Sequence, residues 1–142
     1  MNTSASSKSS EQPSSVPLSE RLRRGDVMAP KCPSREILNH LTSRWGVLVL
    51  IGLLPGTLRF SQLRRKIGGV SERMLAQTLQ LLEGDAMVER RAYDIVPPHV
   101  EYTLTSMGRE AAVRVRELAD WVEIHCAAVL REQEALAVKR GR

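Results

Sequence analysis

A chain of 142 residues suits one domain with tails, and 42% apolar residues allow a modest core that aliphatic side chains must fill, since aromatics are only 4%. The net charge of +5 points to an anionic partner, nucleic acid or an acidic surface. Two cysteines, Cys32 and Cys126, make no disulfide framework and no Cys/His spacing suggests zinc. The amino terminus is polar with no apolar signal segment, and the longest apolar run (45–54) is about half the ~20 residues that span a bilayer, so a cytoplasmic protein with no membrane association is expected.

Residues 1–17 hold seven serines, two prolines and, apart from alanine and the initiator Met, only Val16 as an apolar residue. Such a stretch buries too little surface to offset its ordering entropy, so it reads as a disordered tail. The segment 17–25 reads as a short helix with basic residues near its end and Gly25 as its stop. Pro33 suits the first turn of the next helix, whose apolar side is Ile37, Leu38 and Leu41. Trp45 to Leu54 is apolar nearly all round, as a helix at the centre of a small domain would be, and Pro55 and Gly56 end it.

Thr57 to Arg59 has the character of a minimal strand. Phe60, Leu63 and Ile67 then repeat at three and four, predicting a short amphipathic helix that Gly68 and Gly69 break. The next helix has Ser71 as candidate N-cap and Gly84 as its natural stop. Residues 87–93 and 99–105 alternate in the strand manner around a proline-containing tip, a hairpin. From Ser106 to about Val138 the chain is helical again: Ala111, Val115, Leu118, Val122 and Val129 track one stripe, widened by Trp121, Ile124 and Ala128.

Helix, short strand, helix, turn, helix and hairpin make a mainly α fold with a small β-hairpin wing, the winged helix-turn-helix arrangement. On a helical wheel Leu75, Leu79 and Leu82 fall within about 60° of one another. Arg73, Gln77 and Gln80 then face the opposite way, where arginine can grip guanine and glutamine can pair with adenine in the DNA major groove. These three are the candidate base readers. Arg59, Ser61, Arg64, Arg65, Lys66 and Ser71 are candidate phosphate contacts around the first helix of the pair. Arg90, Arg91 and His99 flank the hairpin tip and are candidates for wing contacts. A basic amphipathic helix taken alone is more often a solvated face; its place within this order of elements is what favours DNA.

The stretch from Cys32 to His125 resembles the HxlR-type winged-helix transcriptional regulators, which share a fold with the MarR group. The marks are "CP" before the first core helix, "RW" opening the second, "RFSQLRRKIGGVSERML", "LE" before the turn at Gly84, and "VPPHVEYTLTSMG". Two departures stand out: Gly68-Gly69 where a proline-containing turn is common, and Ala86 where glycine is usual. The resemblance implies a homodimer bound to an inverted repeat in double-stranded DNA, with terminal helices at the dimer interface. It also implies that a cysteine at the position of Cys32 can sense quinones, aldehydes or oxidants, so a small-molecule or electrophile effector is expected.

Two of these expectations have support in the chain itself. A terminal helix of ~30 residues is ~45 Å long, more than one domain of this size can cover, and its apolar stripe is wider than one seam. Residues 106–142 are therefore read as a dimerisation element behind a DNA-binding domain of residues 18–105. The alternative is a helix that folds back, broken near His125 and Cys126. His125 lies on the apolar stripe and reads as a packed histidine rather than a ligand, and Cys126 as packing at the dimer helices. Cys32 precedes Pro33 at a helix start, near Lys31 and Arg35, where dipole and cations favour the thiolate; the alternative is a small structural thiol.

Catalysis is disfavoured. His40 is eight residues beyond Cys32, ~12 Å along a helix axis and too far for a nucleophile–base pair, and no phosphate loop, paired carboxylates, metal motif or cofactor motif appears. The competing reading is a winged helix used for protein docking or RNA binding without sequence-specific DNA recognition.

Overall fold

Six helices and three short strands succeed one another in a computed structural model that describes residues 15–25 and 33–141. Residues 1–14 of the Ser/Pro-rich segment, and Cys32, lie outside the described residues. The chain divides into two compact units, the first ending at Leu38. In that unit α1 (Leu18–Arg23) begins after Pro17 and carries an exposed ion pair, Arg23 Nη2 to Glu20 Oε1 at 2.5 Å. This pairing, with Arg24 Nε also on Glu20, holds the Glu20 carboxyl below its usual pKa. Helix α2 (Pro33–Thr42) starts at the proline that suits a first turn, and from Asn39 its residues belong to the second unit.

The second unit is built around α3 (Arg44–Leu53). Ser43 caps it, its Oγ accepting from Gly46 N–H, and Val49, Leu50 and Leu53 have no exposed surface. The chain then runs through β1 (Leu58–Arg59), α4 (Phe60–Ile67), α5 (Glu72–Gly84), β2 (Val88–Tyr93), β3 (His99–Leu104) and α6 (Ser106–Arg140). Helices α4, α5 and α6 all lie against α3. Leu63 of α4, Leu75, Leu79 and Leu82 of α5, Val88, Tyr102 and Leu104 of the strands and Ala112 of α6 complete one cluster with it. Each fully buried leucine contributes roughly 1.5–3 kcal/mol relative to exposure, so the leucines of α5 fix its roll on the domain. The all-apolar helix expected over 45–54 is not covered all round: Leu48 stays 38% exposed.

The hairpin gains a third strand. The sheet order is β1-β3-β2, antiparallel throughout, with Leu58 opposite Tyr102, Arg59 opposite Glu101 and Val88 opposite Leu104. Leu58 packs on the core, which explains why two residues suffice for an edge strand here.

After α5 the chain turns through Asp85, its C-cap, and Ala86, which sits in the left-handed region at φ 61°. The stop expected at Gly84 is thus one turn residue further on, Gly84 being the last helical residue. Thr105 ties this turn to the start of α6: its Oγ1 donates to Ala86 O at 2.7 Å and accepts from Gly108 N at 2.9 Å. Gly108 lies so close to β2 that an added Cβ would stand 1.9 Å from Met87 O, which is the physical reason for the glycine in "TSMG".

Helix α6 is one unbroken rod of 35 residues, ~52 Å long, running straight through His125 and Cys126. Gly108, Ala112 and Val115 pack inward, whereas Leu118, Trp121, Val122, Ile124, Val129 and Leu136 are exposed. His125 is exposed in the single chain and stacked on Trp121 with ring centroids 4.4 Å apart. Cys126 is also exposed. Among the described residues no helix is long and apolar enough to cross a membrane.

Candidate nucleic-acid interface

Helix α5 presents two unlike sides. Leu75, Leu79 and Leu82 are at most 1% exposed, and Thr78 is buried with its Oγ1 donating to Met74 O at 2.8 Å. On the other side Arg73, Gln77 and Gln80 are exposed, and their side chains have no hydrogen-bond or ion-pair partner among the described residues. Ser71 is the N-cap, its Oγ accepting from Met74 N at 3.1 Å, which leaves its O–H free to donate. The outward polar groups are therefore held in place by packing on the opposite face while remaining unpartnered themselves.

The turn before α5 depends on glycine. Gly68 and Gly69 have φ of 70° and 74°, which lets α4 stop and α5 leave at a new angle within four residues. Arg64 braces this turn, its Nε donating to Val70 O at 3.1 Å and its Nη1 lying 3.4 Å from Glu72 Oε1. Phe60, Ser61, Arg64, Arg65, Ser71 and Glu72 are among the residues that border an open cleft of about 710 Å³ between the starts of α4 and α5. The starts of two helices and two guanidinium groups, one of them paired with the Glu72 carboxylate, thus surround one cleft. Arg65 has no side-chain partner among the described residues. Lys66, by contrast, turns away: its Nζ donates to Gly52 O at 2.9 Å, neutralising the C-terminal end of α3.

The hairpin divides its candidates between two faces. Arg91 lies opposite Glu101, as Arg59 does on the other side of β3, and His99 Nε2 is 3.3 Å from Glu101 Oε1. The His99 ring stacks on Tyr93 at 4.7 Å, and the Arg91 guanidinium lies 5.2 Å over Tyr93. Arg59, Arg91 and His99 thus share one face of the sheet with Glu101, and of the three it is His99 that is hydrogen-bonded to it. Arg90, one residue along an alternating strand, projects from the opposite face.

Two features were not identified from the residues alone. Trp45 reaches the glycine turn, since a Cβ on Gly69 would meet its Cη2 at 4.0 Å, and the Arg44 guanidinium lies 5.5 Å over the Trp45 ring. The "RW" pair thereby adds a cation beside the helix-turn-helix, and only its place in the motif hinted at this. His40 Nδ1 lies 2.6 Å from Asp85 Oδ2, joining α2 to the end of α5 across 45 residues. Among the described residues no group of three His, Cys, Asp or Glu side chains is placed to hold a metal ion.

Comparison with known proteins agrees with this geometry. The family model described as HxlR-like helix-turn-helix matches residues 40–129. The HTH-type transcriptional regulator YtfH of Escherichia coli K12 is 56% identical over 124 residues, covering 87% of this chain and 98% of that protein. The solved structure of the putative transcriptional regulator ytfH from Salmonella typhimurium superposes with a TM-score of 0.72 at 57% identity, covering 75% of this chain and 95% of that one. The redox regulator HypR in its oxidised form superposes at 0.59 with 35% identity, covering 65% of this chain and 95% of HypR.

Proposed function

The chain belongs to the HxlR-like helix-turn-helix family and is a transcriptional regulator rather than an enzyme, and from that premise we propose that it is a homodimeric repressor whose α5 reads an inverted-repeat operator in double-stranded DNA. The observation that carries this reading is the outward set Arg73, Gln77 and Gln80, exposed and unpartnered on a helix whose roll the buried leucines fix. The diameter of a helix fits the major groove, and these side chains match guanine and adenine edges. Ser61, Arg65 and Ser71, with Arg44 and the outer nitrogen of Arg64, line the side that would meet phosphates and set register. Arg90 and the Arg59–Arg91–His99 group supply the wing contacts, and Lys66 contributes mainly through α3. Residues 18–105 would form the DNA-binding domain.

The exposed apolar half of α6 supports the dimer. Leu118, Trp121, Val122, Ile124, Val129 and Leu136 lie along one rod with no cover among the described residues, more apolar exposure than a monomer of this size ordinarily carries on one element. Residues 106–142 would thus serve dimerisation, with Cys126 and His125 among the paired helices. Cys32 is the proposed point of control. It precedes Pro33 in the sequence, with Lys31 and Arg35 nearby, and a structural relative bears the name of redox regulator.

Titrating labelled DNA from upstream of the gene against scrambled DNA as salt rises tests the reading. Steeply salt-dependent binding with a preference for one sequence that persists supports it. Binding that ignores sequence at every salt concentration favours a docking or RNA-binding module instead. Diamide should weaken operator binding by wild type and leave Cys32→Ser unaffected; equal affinity in all four samples would remove the sensor.

A further inference from the structure

We propose that Met74 is a specificity-determining residue that recognises thymine through its C5-methyl group. This rests on the proposed reading of DNA by α5 and adds an apolar element to it. Met74 stands in the first turn of α5, the part of a recognition helix that comes closest to base edges. Its side chain is 42% exposed, although the leucine that follows it is fully buried.

The backbone of Met74 is held from both directions. Its N–H donates to Ser71 Oγ at 3.1 Å and its carbonyl accepts from Thr78 Oγ1 at 2.8 Å. The root of an exposed, flexible thioether is thereby fixed relative to the unpartnered polar groups beside it. On the wheel Met74 lies about 60° from Gln77 and about 20° from Leu81, which is also 42% exposed. An apolar strip therefore borders the polar face for two turns.

Met74 and Leu81 lie between Gln77 and Thr78, which marks the edge of the buried side, and each keeps 42% of its surface exposed. In the major groove only thymine presents a methyl group, which apolar contact can read independently of its O4 acceptor. The polarisable, unbranched tip of methionine adapts to such a surface. Burying one methyl group corresponds to about a fourfold gain in affinity.

The test uses full-length protein and a duplex selected by it from random-sequence DNA. Each thymine is replaced in turn by deoxyuridine, which removes the methyl group and leaves base pairing and O4 intact. For wild type, replacement at one or more thymines inside the selected site should weaken binding about fourfold. For Met74→Ala and for the near-isosteric Met74→Gln the same replacements should change nothing, while thermal melting of both variants stays within a few degrees of wild type. Wild-type binding that is indifferent to every thymine methyl overturns the proposal, as does an unchanged uracil penalty in both variants. A selection that enriches no sequence overturns base reading by α5 itself, a failure distinct from methyl insensitivity on an enriched site.

Discussion

His40 and Asp85 meet at 2.6 Å, the imidazole against the side-chain carboxylate of the residue whose backbone N–H caps α5. Both side chains are mostly shielded from solvent, so the contact acts in a medium that screens it less than water does. Within the second unit it ties His40 to the end of the helix that carries Arg73, Gln77 and Gln80.

Removing either partner leaves the other poorly satisfied. A double-mutant cycle of His40→Ala and Asp85→Ala, followed by urea unfolding, should give a coupling of about 1–2 kcal/mol. Additive losses would show that the two groups stabilise the domain independently.

The start of α6 allows no side chain at Gly108. Gly108→Ala would place a carbon 1.9 Å from the backbone oxygen of Met87, so the helix must shift off β2, and a loss of about 3 kcal/mol or more is expected. Gly84, at the end of α5, has open space around it, and Gly84→Ala should be neutral or stabilise by up to ~1 kcal/mol. Thermal melts of the two variants check the contrast.

Ala86 at φ 61° carries a side chain in a conformation that glycine adopts freely. Ala86→Gly should therefore raise stability by about 1 kcal/mol despite the greater freedom of the unfolded chain. A lower unfolding midpoint for this variant would mean that the alanine methyl has a packing role.

Two neighbouring cations on α4 should behave differently. Arg65→Ala should weaken binding to all DNA sequences alike and lower the salt slope by about one. Lys66→Ala, which strips the cation from Gly52 O, should lower thermal stability and leave the salt slope nearly unchanged. Salt titrations of both variants on one duplex make the comparison.

How much of this was legible in advance follows from the range of the interactions. The helix over 60–67, the glycine break, the Ser71 cap and the split faces of α5 are all set by residues within a turn or two, and periodicity displays them. The hairpin was legible for the same reason, from its alternation. Contacts distant in sequence were not: Lys66 on Gly52, His40 on Asp85, and β1 on β3. Nothing in the pattern around Lys66 distinguishes an ammonium that caps a neighbouring helix from one left free for phosphate. The unbroken course of α6 was likewise undecided locally, because His125 and Cys126 neither break a helix nor favour one strongly.

The most direct test of the reading face is the binding profile of Arg73→Ala on duplexes in which each base pair of the selected site is changed in turn. The variant should bind the preferred site about 5- to 150-fold more weakly, corresponding to ~1–3 kcal/mol, and should lose discrimination at one base-pair position per half-site while keeping it elsewhere. A uniform loss across every duplex, with discrimination intact at all positions, would contradict base reading by α5.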